Sequence, residues 1–174
     1  MVVTPAYLRA VLSLMRDQHV VPQRDYHRGK AIRLKRVQHN LDKLSERFFV
    51  AAVLSVAVYL SIVAGSALAL LPPDWPHDVA KVFTFLGVIF PTLGGAFAGI
   101  RYFGDFERFA SISDITASKL DQIATRADIL LATSEDQLTY ARISNLAHAI
   151  DEIVVTEIEN WQSVFGGKNI SVPV

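Results

Sequence analysis

The chain has no cysteine. Disulfides, thiolate metal sites and cysteine nucleophiles are therefore excluded. Charge is also missing, from two long stretches rather than from the whole. No Asp, Glu, Lys, Arg or His occurs from Phe48 to Pro73, nor from Val82 to Ile100. Proton-coupled transporters and pumps need ionisable groups at such positions, so this absence argues against both. No period-two alternation of useful length appears, which leaves an all-α reading. Gly-x-Ser-x-Gly and His-Glu-x-x-His are absent. Gly166-Gly167-Lys168-Asn169 fails the phosphate-loop pattern, because position 162 is Gln and position 169 is Asn. Asn145, His148 and Asp151 share a helix face but have no second set of donors, so no metal is expected. Glu152, Glu157 and Glu159 read as a solvated face. No nucleophile, base and cofactor-binding residues converge, so neither an enzyme nor a cofactor is expected.

What is present is an uneven distribution of charge. The 174 residues carry 17 Lys+Arg and 17 Asp+Glu. Ten basic and four acidic residues precede Phe48, whereas six basic and eleven acidic residues follow Ile100. A basic front matched by an acidic back does not suggest a nucleic-acid binder.

The two charge-free runs set the architecture. Phe48–Pro73 covers 26 positions, with a helical part to about Leu71, and Val82–Ile100 covers 19. About 20 residues at about 1.5 Å each cross a hydrocarbon core. The second run holds Pro91 and four glycines, which lipid tolerates better than water. Only about ten residues link the runs, so the spans (48–71 and 82–100) should form an antiparallel transmembrane hairpin over 48–101. Seven Lys/Arg lie in the twenty residues before the first span, and the connecting loop has only Lys81. Both termini are then cytoplasmic, in a bacterial inner membrane. No basic segment followed by an apolar one marks a cleavable signal at the start.

Around the hairpin the pattern is amphipathic. Thr4-Pro5 caps a short helix in residues 1–22, expected to end near Val20-Val21-Pro22. Residues 23–47 form a basic juxtamembrane helix whose seam is Leu34, Val37, Leu41, Leu44 and Phe48. This helix either packs in a bundle or lies on anionic headgroups. Residues 102–167 are helical and water-compatible. A break is expected near 133–137, where Ser134 and Gln137 have capping-box spacing. Gly166-Gly167 should end the last helix, leaving a tail at 168–174. The seams at 34–48 and 116–165 are expected to bundle together.

Three sets of residues are candidates for function. Gly87, Pro91, Gly95 and Gly99 stand four apart, and Gly95-x-x-x-Gly99 suits close helix contact, within the hairpin or between subunits. Ser55, Tyr59 and Ser66 on the first span, with Thr84 and Thr92 on the second, could line a pore or bond back to their own helices. Arg47, Trp75, Arg101 and Tyr102 stand where interface anchors belong, with Arg101 spaced to pair with Asp105.

This order of elements resembles the SLATT family, the two-transmembrane effectors associated with SMODS nucleotide cyclases and SLOG nucleotide sensors. The residues behind the resemblance are Asp25-Tyr26-His27, Arg101-Tyr102-Phe103, Glu159-Asn160-Trp161-Gln162 and Pro173, within Arg24 to Val174. It implies an oligomeric, pore-forming or membrane-perturbing effector in a bacterial nucleotide-signalled conflict system. The 174 residues contain no recognisable sensor domain, so a separate nucleotide-sensing or nucleotide-cyclase partner is expected, along with the lipid bilayer and further copies of the chain. The alternative is a non-conducting membrane anchor whose cytoplasmic helices recruit a partner.

Overall fold

A computed structural model describes residues 4–134 and 137–166. The expected tail at 168–174, Gly167, Pro173, and Glu135 and Asp136 of the expected break lie outside the described residues. Among those described there is no strand. The helices are α1 (Pro5–Met15), α2 (Val21–Ala67), α3 (Trp75–Gly104), α4 (Phe106–Ala132) and α5 (Tyr140–Gly166). They belong to two compact units, 1–34 with 108–174, and 35–107.

The first unit is a helical bundle. Thr4 caps α1 by accepting the N–H of Tyr7 at 3.3 Å, and Pro5 follows at the first helical position. The chain does not break at Val20-Val21-Pro22. It passes through a π-helical turn, Arg16–Val20, whose next N–H, that of Val21, reaches back five residues to the Arg16 carbonyl. Pro22, which has no N–H to give, thus falls in the first turn of α2 and does not end a helix.

α4 and α5 fold back on each other. Phe109 near the start of α4 stacks on Trp161 near the end of α5, 4.8 Å between ring centres. Arg108 donates to the Ser163 hydroxyl at 3.2 Å. Ala110, Ser113, Ala117, Ala124 and Ala127 are buried along α4, small side chains that permit close approach. The core joins Leu8, Leu12 and Val20 to Leu120, Ile123 and Leu146. The cap of α5 is Thr139, whose carbonyl accepts from Ile143 N–H at 3.3 Å. Ser134 instead closes a turn onto Gln137 N–H, 3.1 Å.

This unit also explains the charge asymmetry of the sequence. Arg16 binds Asp128 at 2.5 Å, and Arg24 binds Asp121 at 3.1 Å. The basic front meets the acidic back across the bundle. Exposed pairs of this kind add little stability but fix which helices lie side by side.

The second unit is a helical hairpin made by the later part of α2 and by α3. α2 stops at Ala67, four residues before the expected end, and the prolines are not the cause. Ala69 adopts φ 55°, and the N–H groups of Leu70 and Leu71 converge on the Gly65 carbonyl at 2.9 and 3.2 Å. Leu71 folds onto Gly65 so closely that a Cβ there would stand 2.8 Å from Leu71 Cδ1. The remaining apolar stretch, Phe48–Ala67, still covers about 30 Å at 1.5 Å per residue. α3 continues through Pro91 and ends at Asp105, whose φ of 48° is left-handed. The Phe106 ring lies over Gly104, where an added Cβ would oblige the ring to move. Both long apolar stretches are long and apolar enough to cross a membrane.

Candidate functional site

The hairpin's two helices meet through few but specific contacts. Phe48 packs between Phe90 and Phe97, with ring centres 6.2 and 5.7 Å apart. Ser45 donates to the Gly94 carbonyl at 3.0 Å. Gly94 lies against α2: a Cβ there would be in van der Waals contact with it, 3.4 Å from Phe48 Cβ and 3.5 Å from the Ser45 carbonyl oxygen. Toward the far end Tyr59 packs on Phe83 at 5.6 Å. At the other end Arg101 pairs with Asp42, and Gln38 donates to Glu107 at 3.2 Å. Ser45 and Phe48 of the expected seam thus face α3, and within the bundle unit the buried residues of α4 face α1 and α5.

The glycine stripe points elsewhere. A Cβ added at Gly87, Gly95 or Gly99 would meet nothing within 4 Å, and Gly95 and Pro91 are exposed. Gly94, not Gly95, makes the close contact of the hairpin. Gly95 and Gly99 thus make no close contact with the other helix of the hairpin.

The hydroxyls are mostly satisfied locally. Ser55 is buried and donates to the Ala52 carbonyl at 2.8 Å; Thr92 donates to Val88 at 2.7 Å. Ser66 reaches the Pro72 carbonyl in the loop at 3.3 Å. Thr84 is exposed. These residues do not share one face: Ser55 and Tyr59 look toward α3, whereas Thr84 and Thr92 look outward.

Arg47, Trp75, Arg101 and Tyr102 are all exposed. Arg101 takes Asp42 as partner rather than Asp105. The reason is local geometry: Asp105 leaves the helix in the left-handed conformation, and only its N–H returns to Arg101, at the carbonyl, 3.2 Å.

The sharpest chemical feature of the bundle was not singled out by sequence spacing. His27 is 3% exposed, and its Nε2 lies 3.3 Å from Glu157 Oε2. Glu157 also accepts from Trp161 Nε1 at 3.2 Å, and Lys30 stands 4.3 Å over the Trp161 ring. Burial lowers the His27 pKa, opposed by Glu157 and assisted by Lys30. The only advance signal was the presence of Asp25-Tyr26-His27 and Glu159-Asn160-Trp161-Gln162 among the residues of the resemblance. Among the described residues no three His, Asp or Glu come together as a metal site, and His148 and Asp151 are exposed. Comparison with protein families, curated proteins and solved structures finds no match for this chain.

Proposed function

We propose that residues 48–67 and 82–100 cross a lipid bilayer as a hairpin, and that the protein acts there as an oligomeric membrane effector. The observation that carries this reading is the surface of the two apolar stretches. In their most apolar 18 residues only 11% and 6% of positions are buried. The core helix of a water-soluble protein is mostly covered, and contiguous apolar patches of this size mark a membrane or a partner. The open glycines at 87, 95 and 99 supply a surface on which a second hairpin can approach closely. The resemblance to SLATT proteins supports a bacterial inner-membrane location with cytoplasmic termini, and a nucleotide-signalled conflict system with a separate sensor or cyclase. In this mechanism hairpins associate through the glycine stripe, and repacking of the helical bundle on a signal shifts the spans. Pro91, at the middle of α3, is where the second span can bend.

A non-conducting anchor is the second reading. The hydroxyls favour it, because Ser55 and Thr92 bond to their own helices and leave less polar surface for a water path. Dye efflux from liposomes carrying the purified chain separates the two. The effector reading predicts efflux that is lost in Gly95→Ile/Gly99→Ile, together with a fall in oligomer size. Efflux unchanged in that variant removes the glycine stripe from the mechanism, and absence of efflux in every condition leaves the anchor.

A further inference from the structure

The bundle unit carries a half-open cavity of about 430 Å³. The π turn contributes His19 and Val20 to its wall, α1 contributes Met15, the start of α2 contributes Gln23 and His27, and α4 and α5 contribute the rest. Much of the lining is apolar: Met15, Val20, Leu120, Ile150 and Val154. Two carboxylates, Asp151 and Glu157, also line it, and none of the lining residues is Lys or Arg. That balance of charge repels phosphate and carboxylate groups and attracts a cation.

His27 supplies a second, independent indication of a ligand. Its side chain is 4% exposed and forms part of the cavity wall. A carboxylate only accepts hydrogen bonds, so the nitrogen facing Glu157, Nε2, carries the proton in the neutral ring. Nδ1 is then a bare acceptor, and it has no partner. A buried polar atom left in this way is destabilising, and a suitable donor would relieve it.

We propose that this cavity binds an organic cation, a protonated amine carried on an apolar body. The body rests on the aliphatic wall, the two carboxylates provide the counter-charge, and His27 Nδ1 accepts a hydrogen bond from the ammonium. A nucleotide fits none of these features. The proposal does not depend on what the hairpin does in a membrane.

The test uses the full chain in lipid nanodiscs, titrated calorimetrically with 2-phenylethylammonium and, separately, with 3-phenylpropionate, with empty nanodiscs as the blank. Saturable binding of the ammonium at one per chain is expected, with no binding of the carboxylate. Ala147→Phe, which fills the cavity, and Asp151→Asn, which removes an exposed charge, should each weaken binding at least tenfold. Circular dichroism checks that helix content is retained. Should Ala147→Phe lose helix, Asp151→Asn alone decides. Heats equal to those of empty nanodiscs, equal binding of 3-phenylpropionate, or unchanged affinity in Asp151→Asn would overturn the assignment.

Discussion

Leu12 and Leu54 occupy helices of one protein in opposite surroundings. Leu12 has no exposed surface, whereas Leu54 keeps 58% of its own. The contrast holds for the regions around them. In the bundle, apolar side chains point inward and Arg16, Arg24, Asp121 and Asp128 pair on the outside. In the hairpin, Phe49, Val53, Phe85 and Val88 point outward, while Ser55 and Gly94 are buried and Ser45 bonds across the helix pair. One region is sorted for water. The other turns its apolar side chains outward, the arrangement that the proposed bilayer span requires, where close helix contact comes from small residues and hydrogen bonds.

The largest effect that could break this comparison comes from truncating the two leucines. Leu12→Ala should destabilise the bundle by about 2–5 kcal/mol, as core truncations do. Leu54→Ala should leave it within about 0.5 kcal/mol, as surface changes do. Urea unfolding of the detergent-solubilised chain, followed by near-UV circular dichroism, measures both. Similar losses at the two positions would mean that Leu54 is covered by protein.

A charge sharpens the same contrast. Leu54→Asp should disfavour membrane insertion by about 2.5–3.5 kcal/mol, the cost at a span centre. Ile129→Asp, at a position in the bundle that is 62% exposed, should not alter insertion. The membrane-integrated fraction after alkaline extraction reads out each. Smaller still is the effect of Ser45→Ala. Loss of its bond to Gly94 should cost about 0.5–1.5 kcal/mol of hairpin stability. Thermal unfolding of that variant in detergent checks the value, and no change would mean that the bond is replaced by another partner.

The most graded prediction concerns pH. Burial holds the folded His27 below its ordinary 6.5, so the unfolded chain binds the additional proton between those two values. Bundle stability should therefore be complete above pH 6.5 and decline as pH falls through that window. His27→Gln should flatten this part of the profile, measured as the urea midpoint against pH. An unaltered slope would assign the dependence to another group.

Much of the fold was readable in advance because helices are local objects. Thr4-Pro5, the second apolar run despite Pro91, and the break after residue 132 all follow from neighbours within four positions. What escaped depended on distant partners or on side-chain packing. The early stop of α2 comes from Leu71 folding onto Gly65. Arg101 finds Asp42, 59 positions away, once Asp105 has turned left-handed. Gly94 rather than Gly95 faces Ser45 because the rotation of α3 against α2 is set by Phe48, Phe90 and Phe97. His27 gave no signal by spacing, since its partner Glu157 lies in the last helix.

Labelling of single cysteines tests the central claim most directly, and the absence of native cysteine makes it clean. Leu54→Cys and Ile129→Cys are placed at positions of almost equal exposure, 58% and 62%. In sonicated membranes open on both sides, a hydrophilic maleimide should label position 129 quickly. Position 54 should react only after the membrane is dissolved and the chain denatured. Equal labelling rates in intact membranes would show that water, not lipid, surrounds the hairpin.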